Sequence, residues 1–369
     1  MGAAPGSLVP AVWQLRGRAS DAGRVFGARA GHLSPPPTST PTRLTTPVAA
    51  PLTANWVRTQ FKRTDDGSGG RLQTLRRGLK FWWRCWWHAA PLRVSTRAFQ
   101  DSCLDSIVDR EPTLPLRPLR SYLRRGLDSG RRAQAVEAHF NWLTAHFPRP
   151  FIDQLYAGES AALLAGTTLV EGLGLTLSRS AHLGREGELA LHLEWQGARV
   201  MSMAFSVIDA NLVVAHATRA GAGAPAPQPR VVIGAIQGAT GAQVALRELS
   251  AAAQRLRPAA LLVLAVQALS QAWGLAAPLA VASKSHVYAG YASRRRQVAL
   301  DYDSHWRDAG GGLLDRHYWT LPAQPVLRPD SEVESRRRAQ HRRRNQLRVG
   351  VLDAVSAASA GLQLGALAL

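Results

Sequence analysis

Between Arg257 and Lys284 the chain carries no charge, and this run, "PAALLVLAVQALSQAWGLAAPLAVAS", constrains the fold more than any other feature. A stretch so long and so apolar either crosses a membrane or is enclosed by the rest of the protein. Gln267, Ser270 and Gln271 are polar, and Gly274 with Pro278 interrupts the run after about four helical turns. A buried helix followed by the strand "LAVAS" is therefore expected, with no transmembrane span.

A helix buried on all sides needs layers around it. Immediately upstream, "VVIGAIQGATGAQVALRE", Val231 to Glu248, reads as a strand, a glycine-bearing turn and the start of a helix that continues through "ALRELSAAAQRL". Further upstream "LGLTLS", "ELALHLEW" and "RVMSMAFSVI" alternate apolar with polar residues, and the turns "GREG" and "QGA" join them into an antiparallel meander. A short strand is expected from Asn211, before the Pro/Gly-rich loop "HATRAGAGAPAPQPR". "RRAQAVEAHFNWLTAHFP" has helical spacing, with Ala135, Ala138, Trp142 and Ala145 on one face and Pro148 and Pro150 beyond its end. Downstream come the strand "LAVASKSHVY", a helical or irregular segment around "LDYDSHWRDAG", and a short strand "HYWTLPA". The class is α+β: antiparallel strands, then strand, turn, helix, helix, strand.

With 46% hydrophobic residues the chain can build a substantial core, so its polar ends stand out. Residues 1–70 read as a disordered extension centred on "SPPPTSTPTRLTTPVAAP" and closed by "DDGSGG". Met1 to Val57 has no lysine and a single acid, Asp21, a composition equally at home in a transit peptide, a disordered extension or a reading frame opened too early. Residues 71–91 form a tryptophan-rich amphipathic helix with Trp82, Trp83, Trp86 and Trp87 on one side. Trp beside Arg suits either an interfacial membrane anchor or a helix docked on the folded domain. Residues 92–330 make the α+β domain, and 331–369 a basic C-terminal helix and tail.

The formal charge of +20 comes from 45 basic and 25 acidic residues, and only Lys62, Lys80 and Lys284 are lysine. A field of that sign attracts anionic lipid or nucleic acid, unless the surface is basic with no specific partner. Arg336, Arg337, Arg338, Arg342, Arg343 and Arg344 concentrate it in two triplets, read either as a polyanion-binding segment or as a solvated helix face. Cys85 and Cys103 have neither zinc spacing nor the density of a disulfide framework, so no metal is expected. A cytoplasmic protein, peripheral at the inner membrane if attached at all, fits this composition.

Gln237, Gly238, Thr240 and Gly241 stand where a strand hands over to a helix, a place where backbone amides can hold a phosphate. The pattern is neither the dinucleotide-binding glycine motif nor a Walker loop. It partly resembles the turn of acyl-CoA-dependent N-acetyltransferases, which runs Gln or Arg, two residues, Gly, one residue, Gly or Ala. Gln237, Thr240 and Ala242 fall on those places, with glycine displaced to 241. The other reading is a tight turn that needs glycine for its backbone angles. In "SKSHVYAGY", Lys284, His286 and Tyr288 fall on one strand face; His286 is a candidate general base or anion donor, or a core histidine satisfied by backbone. In "LDYDSHW", Tyr302 is a candidate proton donor and Asp303 an orienting acceptor for an arginine, the alternative being a buried Tyr/Trp cap.

Taken in order, "IGAIQGATG", "LRPAALLVLAVQAL", "SKSHVY", "LDYDSHWRDAGG", "YWTLP" and "SRRRAQHRRR" resemble the VirK/YbjX family of Gram-negative bacteria, from about Leu92 to Leu352. Ala239 departs from the proline expected of the family at that place. The resemblance implies a part in virulence and in tolerance of cationic antimicrobial peptides, and carries over no catalytic residue. The order of elements is also similar to the N-acetyltransferase fold. That likeness implies an acyl-CoA ligand at Gln237 to Gly241, His286 as base, and Tyr302 as the acid that protonates the leaving thiolate.

Overall fold

A computed structural model describes residues 52–65, 70–99, 104–164, 169–213, 228–289 and 301–364. Its helices are α1 (Ala54–Thr64), α2 (Arg71–Trp87), α3 (Ala89–Arg97), α4 (Asp105–Arg110), α5 (Ser129–His146), α6 (Arg149–Ala157), α7 (Ala210–Val213), α8 (Gln243–Ala252), α9 (Pro258–Ala272), α10 (Tyr302–Asp308) and α11 (Arg338–Leu364). Its strands are β1 (Ser160–Leu164), β2 (Leu173–Arg179), β3 (Leu189–Trp195), β4 (Ala198–Asp209), β5 (Pro229–Gly238), β6 (Ala276–Val281), β7 (Gly312–Leu313) and β8 (Tyr318–Thr320).

The strands form one 8-stranded sheet in the order β1-β2-β3-β4-β5-β6-β8-β7. Every neighbouring pair is antiparallel except β5 and β6, which run parallel. The expected meander is present: β2, β3 and β4 pair in register, with Leu175 opposite Leu193 and Leu191 opposite Met203. Gln196 and Gly197, both at positive φ (51° and 77°), make the two-residue turn whose twist matches the β3–β4 strands.

The charge-free run resolves as helix and strand. From Leu261 to Ser270 every α9 side chain is buried, because the sheet lies against one side of the helix and α11 against another. Gly274 (φ 64°) takes the left-handed position that ends such a helix, and the chain returns as β6. α11 meets α9 through Leu347, Val351, Val355 and Ser359, spaced by four residues along one stripe. No helix among the described residues is long and apolar enough to cross a membrane.

Three local expectations fail. The strand expected from Asn211 is the short helix α7, whose backbone turns away from the sheet once β4 reaches Asp209. In α5 the buried face is Ala135, Val136, His139, Phe140, Trp142 and Leu143, and Ala145 is exposed, since the bulky side chains outweigh the alanines in choosing the core side. "LAVASKSHVY" is not one strand: β6 ends at Val281, and Ser283–Ser285 form a 3-10 turn that exposes Lys284 and buries His286. The loop 214–227, Tyr291 and Cys103 lie outside the described residues, as do residues 1–51 and 66–69; within the stretch read as an extension, α1 is helical because Val57 packs with Cys85 and Leu92.

Candidate functional site

The site grows from an irregularity in β5. Pairing with β4 skips a residue, Ala204 facing Ala235 while Phe205 faces Ile233, so Gly234 is bulged out of the ladder. A Cβ on Gly234 would lie 1.8 Å from the carbonyl oxygen of Glu186, and one on Gly187 would lie 2.5 Å from the Phe205 backbone. Two glycines thus let the turn from Leu183 to Gly187 press against the bulge. On its other edge β5 pairs with β6 only through Arg230, Val232 and Ile233; β6 ends at Val281, one residue past the last pair, while β5 runs on to Gly238.

Buried polar groups collect where this pairing ends. Glu186 and His286 are both in the core, with Glu186 Oε1 3.9 Å from His286 Nε2, too far for a direct hydrogen bond. His286 Nδ1 accepts from the backbone N–H of Tyr288 at 3.3 Å, which puts the ring proton on Nε2, towards Glu186. Neither His286 Nε2 nor Glu186 Oε2 has a hydrogen-bond partner among the described residues. The Tyr302 ring lies 5.2 Å from that of His286, and its hydroxyl meets the backbone N–H of Ile236, on β5 beyond its last pair with β6.

Burial sets the protonation states. It pushes the Glu186 carboxyl up to about 7 and the His286 imidazole down to about 4. Burial, and next the Glu186 charge, raise the Tyr302 hydroxyl well above an ordinary phenol. At neutral pH the cluster therefore holds a carboxyl close to half ionised, a neutral imidazole and a neutral phenol. That is a set able to take one proton and give another.

The turn beside the cleft is open. Gln237, Thr240 and Gly241 are exposed, Gly241 is left-handed at φ 78°, and a Cβ there would meet nothing within 4 Å. Gly238 differs: its φ is not positive, and a Cβ would make ordinary contact with Leu246 at 3.8 Å. Of the two, only Gly241 is required by backbone angle. α8 starts at Gln243 with no side-chain cap from Ala242, so its first amides point outward without a cap.

The remaining candidates are placed elsewhere. Asp303 does not orient an arginine: its Oδ1 accepts from the Ser283 backbone (2.9 Å) and Trp319 Nε1 (2.9 Å), tying α10 to the end of β6 and so fixing Tyr302 in the cleft. Ser285 Oγ lies 2.8 Å from His317 Nδ1, but His317 Nε2 accepts from Arg316, which leaves the histidine a donor to the serine and not its base. Along the tail, Arg336 and Arg337 pair with Glu334, Arg342 lies 3.9 Å from Asp330, and Arg338 and Arg344 donate to the carbonyls of Val333 and Gln254. Among the described residues, no group of three or more His, Cys, Asp and Glu could hold a metal ion. An open groove of about 400 Å³ between α6, β1 and α11, lined by Phe151, Leu155, Ala161 and Leu362, lies at the far edge of the sheet from this cluster.

Glu186 has no counterpart among the sequence candidates. It sits in "GREG", read as a hairpin turn, where an acidic residue is usually solvated. The signal that could have found it is the second glycine, Gly187, placed where a hairpin turn needs none at positive φ.

The class defined by this fold and site is an α+β protein with an 8-stranded mixed sheet in which, among the described residues, the parallel pair ends beside a buried acid, imidazole and phenol. A family model described as "Protein of unknown function (DUF535)" matches residues 70–358, and the chain belongs to that family. It is 23% identical over 259 residues to the "Uncharacterized protein YbjX" of Escherichia coli (strain K12), covering 68% of this chain and 72% of that protein. The VirK/YbjX resemblance is thus upheld, and the family match begins early enough to include α2. No solved structure matches the chain significantly.

Proposed function

We propose that the protein is an acyltransferase that moves an acyl group from a coenzyme A thioester to an amine or hydroxyl acceptor. The observation that carries this reading is that the β5–β6 pairing ends at the Gly234 bulge, with Glu186, His286 and Tyr302 gathered beside it. The arrangement is similar to the N-acetyltransferase architecture, in which a splayed parallel pair receives the thioester arm. The outward amides of the Thr240–Gly241 turn and of the first turn of α8 would hold the pyrophosphate.

The chemistry follows from the charges. The Ile236 N–H that meets the Tyr302 hydroxyl would orient it and ease the loss of its proton. Glu186 takes the proton of the attacking amine or hydroxyl; a carboxyl near 7 is better matched to that task than an imidazole near 4, so the base role expected of His286 passes to Glu186. A bond forms from the acceptor to the acyl carbon, the C–S bond breaks, and Tyr302 gives its proton to the leaving thiolate. His286 Nε2–H, without a partner among the described residues, would donate to the bound acceptor. A place in virulence or peptide tolerance would follow if the acceptor belongs to the bacterial envelope.

Acetyl-CoA at a hundred times its Kd should raise the Tm by roughly 5 °C. Gly238→Asp, whose Cβ fits, should abolish that shift by setting a carboxylate beside the phosphates. If millimolar acyl-CoA leaves the wild-type Tm where it was, the reading fails.

A second reading, a non-enzymatic protein that binds anionic lipid or nucleic acid, draws support from the exposure of Arg336, Arg337, Arg338, Arg342 and Arg343. It expects binding to duplex DNA or anionic vesicles that weakens steeply with salt and is lost when these arginines become glutamine. Binding that ignores salt would rule it out.

A further inference from the structure

α2 presents an apolar stripe that nothing in the catalytic reading uses. Leu72, Leu75, Leu79, Trp82, Trp83, Trp86 and Trp87 are between 45% and 84% exposed. Their spacing puts them on one face of the helix, and from Leu72 to Trp87 the stripe runs about 22 Å. Trp83, Trp86 and Trp87 lie against one another, with centroids 5.2 to 6.4 Å apart.

The opposite face explains why the stripe points outward. Cys85 is buried with Val57, Leu92, Leu116 and Leu119, and Phe81 packs against the same cluster. Gly78 lies against the Phe61 ring, Arg77 pairs with Asp65 at 3.3 Å, and Arg84 donates to the Leu119 carbonyl. The helix is therefore docked by one side, while its tryptophan stripe stays exposed. Monomeric proteins rarely leave so continuous an apolar patch in water.

The surrounding charge identifies the occupant. Arg71, Arg76 and Lys80 are exposed and flank the stripe at helical spacing, and no acidic residue occurs from Arg71 to Arg97. Tryptophans bordered by cations match the headgroup level of a bilayer, where the rings sit at the interface and the cations meet lipid phosphate. Five cations in α2 exclude a spanning geometry, so the helix would lie in the membrane plane. We propose that α2 is an in-plane anchor that seats the protein on an anionic phospholipid bilayer. This proposal is independent of the acyl-transfer reading.

Co-flotation of the full chain with vesicles of phosphatidylcholine containing phosphatidylglycerol tests it. Wild type should float, and should do so about a hundredfold less well with phosphatidylcholine alone. Arg71→Gln, Arg76→Gln and Lys80→Gln together should lower the apparent affinity for the anionic vesicles about a hundredfold. Leu72→Ser, Leu79→Ser, Trp86→Ser and Trp87→Ser together should abolish flotation with an unchanged Tm, since these side chains make no core contacts. Neutralising Arg336, Arg337, Arg338, Arg342 and Arg343 should leave flotation intact, which separates this site from polyanion binding by the tail. Wild type that fails to float, a stripe variant that floats like wild type, or a stripe that drives self-association in sedimentation without any flotation would each overturn the proposal.

Discussion

Glu186→Gln is expected to stabilise the protein increasingly from about pH 5 and by nearly the full amount at pH 7, to leave its stability unchanged near pH 4, and to remove the proposed acyl transfer. Burial raises the Glu186 carboxyl from 4.5 to about 7, so the folded state disfavours the ionised form that the unfolded chain adopts freely. Below pH 4.5 the group is neutral in both states and glutamine is a close substitute. As pH rises towards and through 7, wild type progressively loses stability that glutamine keeps, about 3 kcal/mol by pH 9. His286, held at about 4 by burial, and Tyr302, raised by burial, stay neutral over most of this window and do not mask the effect. Arg185 and Arg117 are the nearby charges that temper it. Urea denaturation at pH 4.5, 7 and 9 measures the difference, and an equal gain at all three would show that the carboxyl is not buried as described. Loss of the base should lower kcat for transfer by about a thousandfold at pH 7. A variant that is more stable at pH 9 yet fully active would keep the burial and discard the base.

Gly234→Ala is expected to destabilise the protein by roughly 3 kcal/mol or more, or to prevent folding. The new Cβ would fall 1.8 Å from the Glu186 carbonyl oxygen, an overlap that only backbone movement in β5 or the Leu183–Gly187 turn could relieve. Gly241→Ala is the informative control. Its Cβ meets nothing, and its cost, about 1 kcal/mol, arises only from the left-handed backbone at φ 78°. Midpoints of urea unfolding for the two variants should differ accordingly; similar midpoints would mean that the turn does not press on the bulge. Any Gly234→Ala protein that folds should also lose the upward displacement of Glu186, because the turn that buries its carboxyl would have moved.

How much of this was legible beforehand depended on how local the signal was. β2, β3, β4, α8 and α9 could be read because alternation or an uninterrupted apolar run specifies them within a few residues. β1 was missed: "SAALL" is short and carries no period by itself, and its strand identity comes from pairing with β2. Tyr302 and His286 stood out by residue type, although the side-chain directions argued for "SKSHVY" assumed a strand that the 3-10 turn replaces. Glu186 was not legible, because its significance comes from a contact with Gly234, far away in sequence, and from burial that a turn sequence does not advertise. The candidate cluster is thus a product of long-range register, and only its better-patterned members could be seen from the chain itself.

The stripe of α11 that covers α9 has a consequence for how the polypeptide comes into being. On the ribosome, α9 and the strands beneath it emerge well before Leu347 to Ser359 do, so the most apolar helix must wait for its last neighbour while synthesis continues. α11 also rests on β1, synthesised much earlier, so its docking joins the first strand of the sheet to the final helix. Contacts so distant in sequence slow folding, because the loop between them must close before they form. They also make the core lock late, as a single cooperative event, so that unfolding monitored by the Trp273 environment and by far-ultraviolet dichroism should coincide.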